Sequence, residues 1–182
     1  MSHGTIMKNI EIKVRVDNRT NMLRNIQKLG AKKIGLLRQT DSYYKVSNGR
    51  LKLREERPPD HTALIYYSRP DDKQSKLSEY DILNIAKDDS KKFKNILSKA
   101  LSTLVVVKKN RSLYQYKNTR IHLDSVSGLG DYLELETVIT KQSLSHAKNE
   151  HETVVKALEL NTCEIIAVSY SDLLMKTKAT VT

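Results

Sequence analysis

Charged residues recur two apart along several short stretches of this 182-residue chain. Glu11, Lys13 and Arg15 alternate with Ile10, Ile12, Val14 and Val16, and Arg50, Lys52, Arg54 and Glu56 enclose Leu51 and Leu53. Lys109 and Arg111 form a third row. Arg120, His122 and Asp124 stand against Ile121 and Leu123, and Glu134 and Glu136 against Leu133 and Leu135. Side chains two apart on an extended strand share a face, so each stretch presents a charged row. Arg offers a planar fork that matches phosphate oxygens, while Lys acts as a point charge. Mg²⁺ takes one or two carboxylates and completes its shell with water and phosphate oxygens. Basic rows facing acidic ones could therefore hold a polyphosphate and a divalent metal together.

The elements that must position these rows are mostly strands. "NIEIKVRV" (9–16) opens the chain, and Met22, Leu23, Ile26 and Leu29 then recur at helical spacing before Gly30. "TDSYYKV" and "GRLKLREE" read as strands joined at Ser47-Asn48-Gly49, and "ALIYYS" as another that stops near Pro70. "KLSEYDIL" is a candidate antiparallel partner for it. Asp89 or Ser90 can cap a helix striped by Phe93, Ile96, Leu97, Ala100 and Leu101. Three strands follow, "TLVVVKKNRSLYQY", "TRIHLDSV" and "DYLELETVI", with turns at Asn118-Thr119 and Gly128-Leu129-Gly130-Asp131. A third helix spans about 146–160, and "SYSDLL" adds a short final turn. The tally is about eight strands with short connections, which favour antiparallel pairing and an α+β, β-dominated fold.

Composition narrows the partners. Thirty-two Lys+Arg against 21 Asp+Glu leave a net charge of +11, which points to an anionic ligand. The only cysteine, Cys163, allows no intramolecular disulfide and fits a reducing compartment. No apolar run has the length of a membrane span and no signal-peptide core opens the chain, so a cytoplasmic protein is expected. One domain over residues 1–182 is expected, with 1–5 and 176–182 as flexible ends.

Periodicity leaves two architectures open. One is an ordinary sheet with its polar face in water. The other is a barrel with helices outside and a charged lumen; about eight strands is the number that encloses one small ligand. Such a lumen is costly unless each charge is paired or meets a ligand.

Taken in order, "NIEIKVRV", "GRLKLRE", "KKNRSLY", "IHLDSVSGLGDYLELE" and "SYSDLL" resemble the CYTH domains, the triphosphate tunnel metalloenzymes, and lean toward their class IV adenylate cyclase-like branch. The resemblance implies a closed antiparallel eight-stranded β-barrel, a tunnel with helices packed outside that binds a triphosphate such as ATP, tripolyphosphate or thiamine triphosphate. It implies Mg²⁺ or Mn²⁺ as cofactor, held by Glu11, Asp124, Glu134 and Glu136. It places Lys13, Arg15, Lys52, Arg54, Lys109, Arg111 and Arg120 on the phosphates, with Arg69 and Lys76 beside a loop of variable length. Glu11, Lys13, Glu134 and Glu136 would carry the catalysis. The departure is Asn9, where the family's E-x-E-x-K signature has its first Glu. Hydrolysis of a triphosphate, cyclisation of ATP and binding without turnover all follow from this set, and a homodimer is compatible with it.

Other signals are weaker. "HAKNEHE" lacks the spacing of a zinc helix and reads as a solvated face. His122 shares a face with Arg120 and Asp124, as a structural residue or as an acid/base. Ser112 and Ser171 have no His at credible spacing, and Glu134 and Glu136 stand too close to straddle a sugar bond. The chain has no Trp and one Phe, so aromatic platforms for nucleic acid would have to come from tyrosines, and nucleic acid is not the expected partner.

Overall fold

A computed structural model of the chain describes residues 8–68, 76–139 and 142–179. Among the described residues eight strands are present: β1 Lys8–Arg15, β2 Lys32–Tyr44, β3 Arg50–Arg57, β4 His61–Ser68, β5 Lys76–Ile85, β6 Thr103–Tyr116, β7 Thr119–Val126 and β8 Gly130–Ile139. Four helices accompany them: α1 Arg19–Lys28, α2 Ser90–Leu101, α3 Leu144–Ala157 and α4 Tyr170–Ala179. All pairings are antiparallel, in the order β1-β5-β4-β3-β2-β6-β7-β8. β1 meets β8 over eight residue pairs and β5 over three, so the sheet curls back toward its own start.

The two faces of the curled sheet differ as the alternation dictates. Val14, Ile121, Leu123, Leu133 and Leu135 point outward and are fully buried against Met22 and Ile26 of α1, Val154 of α3 and Leu158 just past its end. Each such side chain contributes about 1.5–3 kcal/mol on burial, so this half of the sheet is held firmly. α2 buries no residue completely, and Ile96 of its expected stripe is 53% exposed. Glu11 and Lys13 of β1, Arg120 and His122 of β7 and Glu134 and Glu136 of β8 point inward.

Two elements differ from the sequence expectation. β2 starts at Lys32, well before "TDSYYKV", and Gly35 sits at an irregularity in the β2–β6 ladder. The irregularity breaks the alternation that would otherwise reveal the strand in "KKIGLLRQ". "SYSDLL" is not a short turn but the start of α4, which runs to Ala179, so residues 176–179 are helical. Residues 1–5 lie outside the described residues. Among the described residues no helix is long and apolar enough to cross a membrane.

α3 is also tied to the sheet by a buried polar chain. Glu150 accepts from the Thr119 hydroxyl at 2.7 Å, Thr119 and Thr137 share a hydrogen bond at 2.9 Å, and His151 Nδ1 lies 3.0 Å from Thr137 Oγ1. Burial lowers the His151 imidazole to about 4 against the pull of Glu152 and Glu150. An unfolded imidazole takes its proton near pH 6.5, so folding stability is full above that value and falls as pH drops toward 4. Wild type is expected to lose about 2 kcal/mol more than His151→Gln between pH 7 and pH 5, read by urea unfolding.

Candidate active site

The inward face encloses a cavity of about 380 Å³, within the range of small-molecule sites. It is lined by six cations, Lys13, Lys52, Arg54, Lys109, Arg111 and Arg120, and by five carboxylates, Glu11, Asp41, Glu56, Glu134 and Glu136. The lining is therefore close to charge balance. Among the described residues the lining carries nearly as many carboxylates as cations, so this part of the cavity is an ion-paired network rather than a purely basic channel.

Strand register places the charges in rungs. Arg120, Glu136 and Glu11 are neighbours across β7, β8 and β1, and His122, Glu134 and Lys13 form the next rung. Glu134 accepts from Lys13 at 3.1 Å and from Arg111 at 2.6 Å, and Glu136 pairs with Arg120 at 2.9 Å. Burial alone would raise both carboxyls. Lys13, His122 and Arg111 hold Glu134 well below the usual carboxylate range, and His122, Arg120 and Arg111 lower Glu136. Both are ionised at neutral pH.

On the opposite wall Asp41 accepts two hydrogen bonds from Arg54, each 2.7 Å, and one from Lys52 at 3.1 Å. Burial opposes ionisation of Asp41, but Arg54 and Lys52 outweigh it and depress its pKa strongly. Lys52 Nζ also lies 5.5 Å and 5.4 Å from the ring centres of Tyr43 and Tyr67. Burial and the Arg111 charge lower the Lys109 amine to about 8, against the pull of Asp124 and Glu134.

α4 supplies the third side. The Tyr170 hydroxyl donates to Asp124 at 3.2 Å, and its ring lies 4.4 Å from Lys13 Nζ and 5.0 Å from Lys109 Nζ. Lys13 also donates to the Val168 carbonyl at 3.2 Å. Asp172 bonds Arg50 at 2.8 Å and both the backbone and the hydroxyl of Ser169, which anchors the turn into the helix.

Most residues expected at the site converge here: Glu11, Lys13, Lys52, Arg54, Lys109, Arg111, Arg120, Glu134 and Glu136. Arg15 does not. It is 52% exposed beside Asp17, because the Tyr132–Tyr170 ring pair fills the neighbouring interior and Glu164 and Ile165 run along the end of β1. Asp124 is fully buried and outside the lining. Its carboxylate binds Arg111 twice, at 2.7 and 2.6 Å, and Lys109 at 3.2 Å, so it anchors two cations of the lining. Arg69 lies outside the described residues, and of Lys76 only the backbone is described, opposite Glu11. Asn9 is buried, beside Val138 and one inward position beyond Glu11.

Sequence reasoning missed Asp41, Tyr43, Tyr67 and Tyr170 as lining residues. Asp41 and Tyr43 share parity with Gln39, so that row was visible in the alternation. Nothing local marks Tyr170, which the final helix brings in from a distance. His122 joins Glu134 and Glu136 in a group whose candidate ligand atoms lie within 4.8 Å of one another.

The CYTH domain model matches residues 7–170. The chain belongs to the CYTH domain family. A relative from Methanocaldococcus jannaschii described as a candidate adenylate cyclase is 29% identical over 177 residues, 92% of this CYTH chain and 98% of its own. A solved Pyrococcus horikoshii protein is 27% identical with a TM-score of 0.72, over 91% of this chain and 98% of that one. A Hippeastrum structure, described as a candidate adenylyl cyclase with a dominant triphosphatase activity, shares the CYTH fold at 14% identity and a TM-score of 0.70. It covers 94% of this chain and 96% of that one.

Proposed function

We propose that this CYTH protein processes a triphosphate inside its curled sheet, with the β1–β5 seam shut to make a tunnel, and that hydrolysis is the reaction. The single observation that carries the reading is the cavity whose walls bring six Lys and Arg residues together with the carboxylates Glu134 and Glu136. Each cation with a measured partner there is satisfied by a carboxylate. An entering polyphosphate offers the same fork and point-charge acceptors, so Lys13, Lys109 and Arg111 exchange Glu134 and Asp124 for phosphate oxygens. Lys52 and Arg54 do the same from the opposite wall.

Glu134 and Glu136 fit a divalent cation, being ionised and adjacent on one strand, with Glu11 across the ladder. Mg²⁺ or Mn²⁺ bound there would supply charge neutralisation and an activated oxygen nucleophile. The chain's own contribution is placement: its cations hold the phosphate chain and stabilise charge developing on the leaving group. With water attacking the terminal phosphorus, its bond to the bridging oxygen breaks and the products are inorganic phosphate and the remaining diphosphate. Leu37, Ile65, Ile82 and Leu113 give the cavity an apolar portion that suits an organic group on the triphosphate.

A second reading, cyclisation of ATP by its ribose 3′-hydroxyl, is favoured by the description of the Methanocaldococcus relative. A panel of tripolyphosphate, ATP and thiamine triphosphate, each with Mg²⁺ or Mn²⁺, separates the two. Phosphate release is the expected result. Cyclic AMP and pyrophosphate from ATP would favour the cyclase. Binding of all three without product would overturn both enzymatic readings.

A further inference from the structure

Three buried polar atoms of the cavity lining make no hydrogen bond, Gln39 Oε1, Arg120 Nε and His122 Nδ1, and of these it is His122 Nδ1 that faces both Glu134 and Glu136. His122 Nδ1 makes no hydrogen bond, although the residue is only 5% exposed. Buried polar atoms are almost always satisfied, so this one needs an account. It faces Glu136 Oε1 at 3.6 Å and Glu134 Oε2 at 3.9 Å, too far for hydrogen bonds. Metal–ligand bonds of about 2.0–2.2 Å leave ligand atoms roughly 3–4 Å apart, which matches these separations.

We infer that His122 is a metal ligand, completing with Glu134 and Glu136 a one-histidine, two-carboxylate site that favours transition-series cations over Mg²⁺. The inference rests on the metal-dependent reading above and deepens it by naming the class of cation. Register explains why the third ligand comes from β7. His122 stands directly beside Glu134, whereas Asn9 lies beside Val138, beyond the rung of Glu11 and Glu136. The amide at Asn9 therefore leaves the group of three intact. Oxygen donors suit Mg²⁺, which dehydrates reluctantly, while imidazole nitrogen raises the relative affinity for later divalent ions such as Co²⁺ and Zn²⁺, with Mn²⁺ the least favoured of the series.

Pulsed electron paramagnetic resonance on the full chain, loaded with Mn²⁺ in the presence of tripolyphosphate, tests this directly. Coupling to one imidazole nitrogen is expected in wild type and its loss in His122→Gln. Equilibrium dialysis should show Co²⁺ bound more tightly than Mg²⁺ by wild type. His122→Gln should weaken Co²⁺ at least as much as the roughly 10–100-fold seen when a mere outer partner of a ligand is removed, with little change for Mg²⁺. Stoichiometric Mn²⁺ without nitrogen coupling, coupling that survives in His122→Gln, or equal losses for Co²⁺ and Mg²⁺ would overturn the inference and leave the triphosphate reading standing. Should neither Mn²⁺ nor Co²⁺ bind with tripolyphosphate present, both fall. The wild-type spectrum decides the matter even if the variant does not fold.

Discussion

Asp124→Asn is expected to lower folding stability by about 3–5 kcal/mol at pH 7, the usual cost of removing one partner from a buried ion pair. Asp124 is fully buried and holds Arg111 through two hydrogen bonds, Lys109 through a third contact and the Tyr170 hydroxyl through a fourth. Asn preserves the shape and removes the charge, leaving two cations side by side with only Glu134 between them. Lys109 gives a second readout. Burial and Arg111 already lower its amine to about 8, and Asp124 is among the groups that hold it up. Without that carboxylate the amine falls further below its unfolded value. Folding then favours the neutral amine, and the stability of the variant rises with pH until the unfolded amine also loses its proton. Urea unfolding at pH 7 and pH 9 should show a smaller deficit at the higher pH. An equal deficit at both would mean that Lys109 does not respond to Asp124. Asp124 itself titrates the other way: burial opposes its ionisation, but Arg111 and Lys109 depress its pKa. Its contribution in wild type is therefore full above the ordinary carboxylate range and is lost only as pH falls through the depressed value.

What was legible beforehand follows from what strand alternation encodes. Parity assigns a side chain to a face, so Lys13, Lys52, Arg54, Lys109, Arg111 and the Glu134–Glu136 pair could be grouped without coordinates. Parity says nothing of depth along the interior. Arg15 and Asp124 have the right parity, yet one emerges at an exposed end and the other sinks behind two cations. Both outcomes depend on Tyr132 and Tyr170, and the latter arrives on a helix more than forty residues beyond β7 in sequence. Charge balance was equally hidden. A composition of +11 suggests a basic interior, but Asp41 and Glu56 belong to the cavity and cancel much of it. The register of Asn9 was hidden in the same way: it stands opposite Val138, one step beyond the pair of Glu11 and Glu136.

Glu134→Gln should separate binding from turnover. Glu134 is the acceptor shared by Lys13 and Arg111 and a member of the only three-residue metal-capable group found among the described residues. Removing its charge takes one ligand from the cation site and should reduce phosphate release by about 10²–10³-fold, comparable to deleting one group that stabilises transition-state charge. The same change frees Lys13 and Arg111 from an internal competitor. Lys13 then meets tripolyphosphate without first giving up an ion pair and Arg111 gives up only Asp124, so the Kd for tripolyphosphate without metal should stay level or fall. Glu136→Gln leaves Glu134 with both of its cations and frees only Arg120, so it should slow turnover with less gain in metal-free binding. Calorimetric titration with tripolyphosphate in chelator, set beside the rate of phosphate release in Mn²⁺, measures the two effects separately. If binding and turnover weakened together in Glu134→Gln, the carboxylate would be holding the cations in position for the substrate, and the exchange of partners would be wrong.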